Sequence, residues 1–346
     1  MLKQLTVSNF RNITKANFVF HPSLSIIIGP NAVGKTNLLE AIYFVLNTKG
    51  FRDEKQDELI SWQQNLASLK ATIETNNDKI ALAIFLEKKI SVTKILKVNQ
   101  TKKILKTYLE YSLPVVIFSP QLLNIIEGGP DRRRRYINNI ISLYDHNYLT
   151  NLTAYEKGLR QRNRLLEQNI DIFQLQKQLK FWDDLLIKHG SYLINSRQQL
   201  VKFLNQNNQL DDITFNVGYK VSAITQQTLH DSWRYQMAIR TTVVGPHRDD
   251  FEIFKFKNDR LVSLHSFGSR SEERLALFWL ANCQLKLFDI LIKKKPILLL
   301  DDIFSELDIK NKSLIIDLIK NYQTILTTTE SDLISSIKLP HSVIKL

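Results

Sequence analysis

Gly29-Pro30-Asn31-Ala32-Val33-Gly34-Lys35-Thr36 satisfies the pattern G-x-x-x-x-G-K-[ST] in full. Its flanks decide the reading. Ser25-Ile26-Ile27-Ile28 before it is an apolar run suited to a strand buried on both faces of a sheet. Leu38, Leu39, Ala41, Ile42 and Val45 after it recur at helical spacing. A glycine-bearing turn between strand and helix offers backbone N–H groups and a helix N-terminus to phosphate oxygens. Lys35 brings charge to the β- and γ-phosphates, and the Thr36 hydroxyl is a ligand for Mg²⁺. Gly29, Pro30, Asn31, Ala32, Val33, Gly34, Lys35, Thr36 and Asn37 are therefore predicted to hold ATP, with Lys35 also catalytic.

A second apolar run, Ile297-Leu298-Leu299-Leu300, ends in Asp301-Asp302. Carboxylates at the end of a buried strand fall at the edge of the sheet where the phosphate loop lies. Asp301 is the expected Mg²⁺ carboxylate, and Asp302 the residue that orients or deprotonates the attacking water. The plainer alternative is an acidic cap on the following turn.

The two halves of this site stand near opposite ends of a chain of 346 residues. Residues 67–118 are strand-rich. From Pro120 to about Tyr235 the pattern is mainly helical, with strand-like alternation again at 239–244 and 250–256. The layout is an α/β domain split around a helical insertion: a first ATPase lobe over 1–118, a helical lobe over 119–270, and a return to the first lobe over 271–346. The single Cys283 cannot form an intrachain disulfide, no apolar run approaches the length of a membrane helix, and Met1–Val7 lacks a signal-peptide core. These features predict a soluble cytoplasmic chain with no membrane partner. Lys and Arg total 47 against 34 Asp and Glu, a net charge of +13 that favours polyanions such as nucleic acid.

Further stretches recur in a recognisable order. Ser8-Asn9-Phe10-Arg11-Asn12, the phosphate loop, Gly128-Gly129-Pro130 followed by arginines, Gln161-Arg162-Asn163, Gly245-Pro246-His247-Arg248-Asp249-Asp250 and Asp301-Asp302-Ile303-Phe304-Ser305-Glu306-Leu307-Asp308 together resemble the RecF family. These are bacterial recombination mediators related to ABC ATPases and SMC proteins. The resemblance implies an ABC/SMC-like P-loop ATPase head, α/β in class, with an inserted mainly helical lobe. Residues 37–296 are too few for the coiled-coil arms of SMC proteins, and no sustained heptads occur, so no long coiled coil is expected.

The resemblance implies more about the site. Two subunits would sandwich ATP between the phosphate loop of one and the signature motif of the other. That motif is Phe267-Gly268-Ser269-Arg270-Ser271-Glu272-Glu273-Arg274, and the Ser269 hydroxyl would meet the partner's γ-phosphate. Ser271 replaces the expected glycine and Glu272 the expected glutamine; glycine allows close approach and positive φ, so the hydrolysis rate hangs on Ser271. Arg11 and Asn12 correspond to a nucleotide-contacting pair, or else form a strand-end turn. Gln121 matches a lobe-linking glutamine. Ser305–Asp308 match the loop crossing the dimer interface, and Thr327-Thr328-Thr329 stand where a switch histidine is often found.

Arg132, Arg133, Arg134 and Arg135 open one helical pattern, and Arg160, Arg162 and Arg164 form a second cluster. At about 100° per residue, consecutive arginines cannot share a face, so some must pair inside the protein. The others are expected to grip DNA phosphates without reading sequence. With the resemblance, these features imply an ATP-dependent homodimer with slow, DNA-stimulated hydrolysis. It would bind double-stranded DNA at single-strand gaps, engage RecR and indirectly RecO, and help load RecA onto single strands. A transport or generic ABC ATPase would require a compact nucleotide domain and a switch histidine. A third reading is an ATP-binding DNA clamp with negligible turnover.

Overall fold

The computed structural model describes residues 1–52, 56–75, 78–257, 260–292, 294–303, 309–329 and 339–346. Two units divide the chain: Met1–Leu122 with Leu280–Leu346, and Leu123–Trp279.

The first unit begins with β1 (Leu2–Phe10), β2 (Ile13–Val19) and β3 (Leu24–Ile28), then α1 (Lys35–Asn47). β4 (Leu66–Glu74), β5 (Lys79–Lys88), β6 (Val92–Val98), β7 (Thr101–Lys102), α2 (Leu105–Tyr111) and β8 (Val115–Phe118) follow. An antiparallel sheet runs in the order β2-β1-β4-β5-β6-β7. Its strands alternate: Leu5, Val7, Leu69, Ala71, Leu82 and Ile84 are buried, while Lys15 and Lys70 are exposed. Helix α1 is buried along nearly its whole length, with Phe44 against Phe10 at 5.9 Å between ring centres. Apolar residues on all sides of a helix mark it as a core element.

The end of α1 is secured by side chains. Its last carbonyls lack intrahelical partners; Tyr108 Oη donates to Val45 O and Ser112 Oγ to Leu46 O, both at 2.7 Å. Lys94 Nζ donates to Thr48 O at 2.5 Å, and burial, aided by Lys49, pushes its ammonium down to about 8.

In the second unit come α3 (Asn124–Glu127), α4 (Pro130–Tyr144), α5 (His146–Leu166) and α6 (Ile172–Gln206), then β9 (Gln209–Leu210) and β10 (Ile213–Lys220). Short helices α7 (Gln226–Asp231) and α8 (Trp233–Ile239), strands β11 (Asp250–Lys257) and β12 (Arg260–Ser263), α9 (Leu264–Phe267) and the start of α10 (Arg270–Leu291) complete it. An antiparallel sheet runs β12-β11-β10-β9. Two expectations change. Residues 213–220 are a strand within the region expected to be helical, because Phe215 and Val217 alternate with polar neighbours and pair with β11. Residues 240–244 are not a strand: the Thr242 N–H and hydroxyl both donate to Asn163 Oδ1, at 3.0 and 2.6 Å, so that N–H is not available to a sheet ladder.

The chain then returns to the first unit with β13 (Ile297–Asp301), α11 (Ile309–Asn321), β14 (Thr324–Thr328) and β15 (His341–Lys345). These join β3 and β8 in a parallel sheet of order β15-β3-β14-β13-β8. β3, β8 and β13 are the near-continuous apolar, buried runs that parallel sheets require, β14 is buried but carries three threonines, and the edge strand β15 is partly exposed. In this order β14 lies between the strand that enters the phosphate loop and the strand that ends in Asp301, and β8 flanks the latter. No helix of the described residues is long and apolar enough to cross a membrane.

Candidate nucleotide-binding site

The turn Gly29–Gly34 leaves β3 and enters α1. Ala32 and Gly34 take left-handed backbone, φ 64° and 116°. At Gly34 a Cβ would also stand 2.7 Å from Asn12 Nδ2, so glycine is required on two counts. Asn12 Nδ2 donates to Val33 O at 3.1 Å, and Asn12 Oδ1 accepts from Asn37 Nδ2 at 2.8 Å. Asn12 thus ties the loop to the helix after it. The Lys35 ammonium lies across the loop, donating to Gly29 O and Pro30 O at 2.8 Å each.

Arg11 is placed differently from Asn12. Its Nε and Nη2 clasp Glu40 at 2.9 and 3.1 Å, and its Nη1 donates to Glu58 O at 3.0 Å. Glu40 is fully buried in α1, so Arg11 supplies the counter-charge that makes its burial tolerable. Arg52 Nη1 stands 3.5 Å from the same carboxylate and donates to Asn37 Oδ1 at 3.0 Å, while its Nε donates to Gln121 Oε1 at 2.9 Å. Gln121 is therefore linked to the start of α1 through one guanidinium.

At the C-terminal ends of the parallel strands, Asp301 is met by three hydroxyls. Thr36 Oγ1 and Thr327 Oγ1 donate to its Oδ1 at 3.0 and 2.8 Å, and Ser119 Oγ donates to its Oδ2 at 3.1 Å. Strand order accounts for this: Asp301 pairs with Thr327 across β13 and β14, and Ser119 follows the end of β8 beside Leu300. The Asp302 N–H donates to Thr327 Oγ1 at 3.0 Å, and Asp302 has left-handed backbone, φ 49°. Thr36 and Asp301 are hard oxygen donors at the mouth of the loop. Mg²⁺ takes one or two protein ligands and the rest from phosphate and water, so this donor set fits it.

Ser269 begins α10. Its N–H donates to Glu272 Oε2 at 2.8 Å, and its Oγ accepts from the Glu272 N–H at 3.4 Å, a reciprocal helix cap. Lys255 also pairs with Glu272; burial is the largest single influence on this carboxyl and raises it, but the Lys255 and Ser269 bonds together outweigh burial and hold it below its ordinary value. Ser271 lies in the first helical turn, where right-handed backbone suits any residue; the positive φ that glycine would permit is not used. Phe304-Ser305-Glu306-Leu307-Asp308 lies outside the described residues.

Residues 1–124 match the family model of the RecF/RecN/SMC N terminal domain. The DNA replication and repair protein RecF of Thermoanaerobacter sp. (strain X514) is 36% identical over 96% of this chain and 95% of its own. The chain belongs to the RecF family. RecF of Streptococcus pneumoniae (strain CGSP14) is 31% identical over 96% of this chain and 93% of its own. Among solved structures, that of the recombination mediator protein RecF with ATP in the RecFOR pathway superposes with a TM-score of 0.85, at 30% identity, covering 96% of this chain and 92% of that one. The Smc head domain of Pyrococcus furiosus, at 15% identity and a TM-score of 0.53 over 96% of this chain and 91% of its own, shares the fold. The α/β head with a mainly helical insertion is thus the RecF fold.

Burial and bonding separate the predicted DNA-contacting arginines into classes. Arg162 is a correction: it is fully buried, with Nε on Asp183 at 2.6 Å and Nη1 on Gln236 and Thr242 at 2.6 and 2.8 Å. It organises the second unit's interior and does not present a cation to DNA. Arg133 clasps Asp250 at 2.7 and 3.0 Å, and Arg134 donates to Asp249 O at 2.5 Å and to the Asp131 carboxylate. Arg132 is half-buried, whereas Arg135, Arg160 and Arg164 are exposed. Sequence reasoning missed Ser119, Glu40, Arg52 and the role of Thr327. Only Thr327 carried a signal, as a polar end to a buried strand.

Proposed function

We propose that this RecF-family chain is an ATPase whose nucleotide-bound form dimerises and grips double-stranded DNA. The carrying observation is the Thr36–Asp301 contact at 3.0 Å, which puts a phosphate loop and a strand-end carboxylate on one metal-sized point. Loop N–H groups and Lys35 would hold the β- and γ-phosphates. Mg²⁺ held by Thr36 and Asp301 would neutralise phosphate charge. Asp302 would orient or deprotonate water, its backbone fixed by Thr327. Ser269, whose oxygen is already placed by the helix cap, would donate its hydroxyl proton to the partner subunit's γ-phosphate.

On this reading hydrolysis is slow and stimulated by DNA, and the protein works in the cytoplasm. The relatives' role in DNA replication and repair, and the RecFOR pathway of the similar structure, support the finer reading. The dimer binds duplex beside single-strand gaps, engages RecR and through it RecO, and aids loading of RecA. Light scattering with ATP, with ADP and without nucleotide tests the gate. A mass that doubles only with ATP, and not in Ser269→Arg protein, supports it; an unchanged mass contradicts it.

A further inference from the structure

The phosphate-loop chemistry leaves two stretches unexplained, Gly129–Arg135 and Gly245–Asp250. In the second unit they meet. Arg133 pairs with Asp250, Arg134 donates to Asp249 O, and Arg197 Nη1 reaches both Asp249 Oδ2 at 2.6 Å and Pro246 O at 2.7 Å. Beside this junction, between α4, α5 and α6, lies a cavity of about 390 Å³ with Arg134, Arg135, Asn138, Tyr155, Glu156 and His247 in its wall. That volume is typical of small-molecule sites, about 300–1,000 Å³.

The wall is built rather than accidental. Gly245 has φ 122°, and a Cβ there would stand 2.3 Å from Tyr155 Oη, so only glycine lets the tyrosine ring sit where it does. His247 Nε2 lies 3.0 Å from Thr242 O, which can only accept, so Nε2 carries the proton. Nδ1 stands 2.7 Å from Tyr155 Oη and, in the neutral ring that burial favours, accepts from that hydroxyl. Asn138 Oδ1 accepts from Tyr148 Oη at 2.6 Å and from Arg197 Nη2 at 2.9 Å, which leaves its NH₂ as the donor for the cavity.

Charge then selects the ligand. Arg134 and Arg135 are matched by Asp131 and Glu156, and Arg197 by Asp249, so a bare anion gains little net attraction. A molecule with a phosphate, an apolar planar body and a hydrogen-bond donor satisfies every part: guanidinium at Arg135, carboxylate at Glu156, amide at Asn138, and the Tyr155 ring with leucines of α5 and α6. We infer that this cavity binds one nucleoside 5′-monophosphate unit. The source is either a free nucleotide or, resting on the DNA reading above, the 5′-phosphorylated strand end at a gap.

Calorimetry on the full chain, with saturating Mg²⁺ and tripolyphosphate (which carries no nucleoside) to fill the phosphate loop, tests this with thymidine 5′-monophosphate, thymidine and inorganic phosphate. The monophosphate is expected to bind at least ~10-fold more tightly than either fragment, and Arg135→Ala or Glu156→Gln to weaken it by ~10-fold each. Both side chains are exposed, so neither change removes core packing. No binding of the monophosphate, or binding indifferent to both substitutions, overturns the inference. A ~10-fold preference for gapped duplex with a 5′-phosphate at the gap edge, lost in Arg135→Ala, assigns the ligand to the strand end. Monophosphate binding without that preference assigns it to a free nucleotide. If the monophosphate binds and no DNA does, the DNA reading fails and the cavity assignment stands.

Discussion

The Thr327 hydroxyl donates to Asp301 Oδ1 at 2.8 Å while accepting from the Asp302 N–H at 3.0 Å, so one side chain on β14 holds both acidic residues that follow β13. Among the described residues, three hydroxyls and no cation are bonded to Asp301, a nearly buried carboxylate. Thr327→Val keeps the volume and removes the hydroxyl. The loss of a hydrogen bond to a buried charged group should cost about 1–3 kcal/mol in urea unfolding. ATP turnover should fall with it, and Thr327→Ser should restore most of both.

Gly34→Ala addresses the loop itself. The substitution meets a φ of 116° and Asn12 Nδ2 at 2.7 Å, so the loop must shift. Binding of a fluorescent ATP analogue should drop by at least tenfold, with an unfolding cost of about 1–3 kcal/mol. Asn12→Ala combined with Gly34→Ala relieves the contact but not the backbone angle, and should recover only part of the loss.

The arginine clusters make opposite predictions. Arg162→Ala strips the partner from Asp183 inside the second unit and should destabilise it by about 3–5 kcal/mol. Arg160→Ala and Arg164→Ala change exposed side chains and should leave stability within about 0.5 kcal/mol. If these two touch DNA phosphates, each removal lowers the salt slope of duplex binding by about 1. Urea titration and fluorescence anisotropy separate the two effects.

His247 gives the second unit a pH signature. Burial pushes its imidazole down to about 4, with Arg248, Arg134 and Arg162 adding to the effect and the Thr242 carbonyl opposing it. Unfolded, the ring takes a proton near pH 6.5. Between pH 6.5 and 4 the unfolded chain therefore binds more protons than the native one, and stability falls as pH is lowered through that window. The His247 share reaches about 3 kcal/mol, at 1.36 kcal/mol per pH unit. Subtracting the pH profile of His247→Gln from that of the wild type should isolate this share.

The ends of the ATPase unit are legible in the sequence because local pattern carries them. An apolar strand, a glycine turn and a helix announce the phosphate loop, and Ile297–Asp302 announces its carboxylate. The hydroxyls of Ser119 and Thr327 are not legible as Asp301 ligands, since their meeting depends on the order β3-β14-β13-β8, which joins segments nearly 200 positions apart. Arg162 misleads for a similar reason: it stands in a basic run, but its partners Asp183, Gln236 and Thr242 come from other elements. Ser271 invites concern over a lost glycine, and the local backbone, already helical, shows no strain from it.

Gating of DNA contact by ATP is tested most directly by binding of gapped duplex across a salt series. The series is run with ATP, with ADP, and with Lys35→Ala protein in ATP. The expected result is tight binding only for wild type with ATP, with a log–log salt slope of about −0.9 for each phosphate neutralised. Equal affinity and equal slope in all three conditions would contradict the gate, because the basic surface would then act without reference to the phosphate loop.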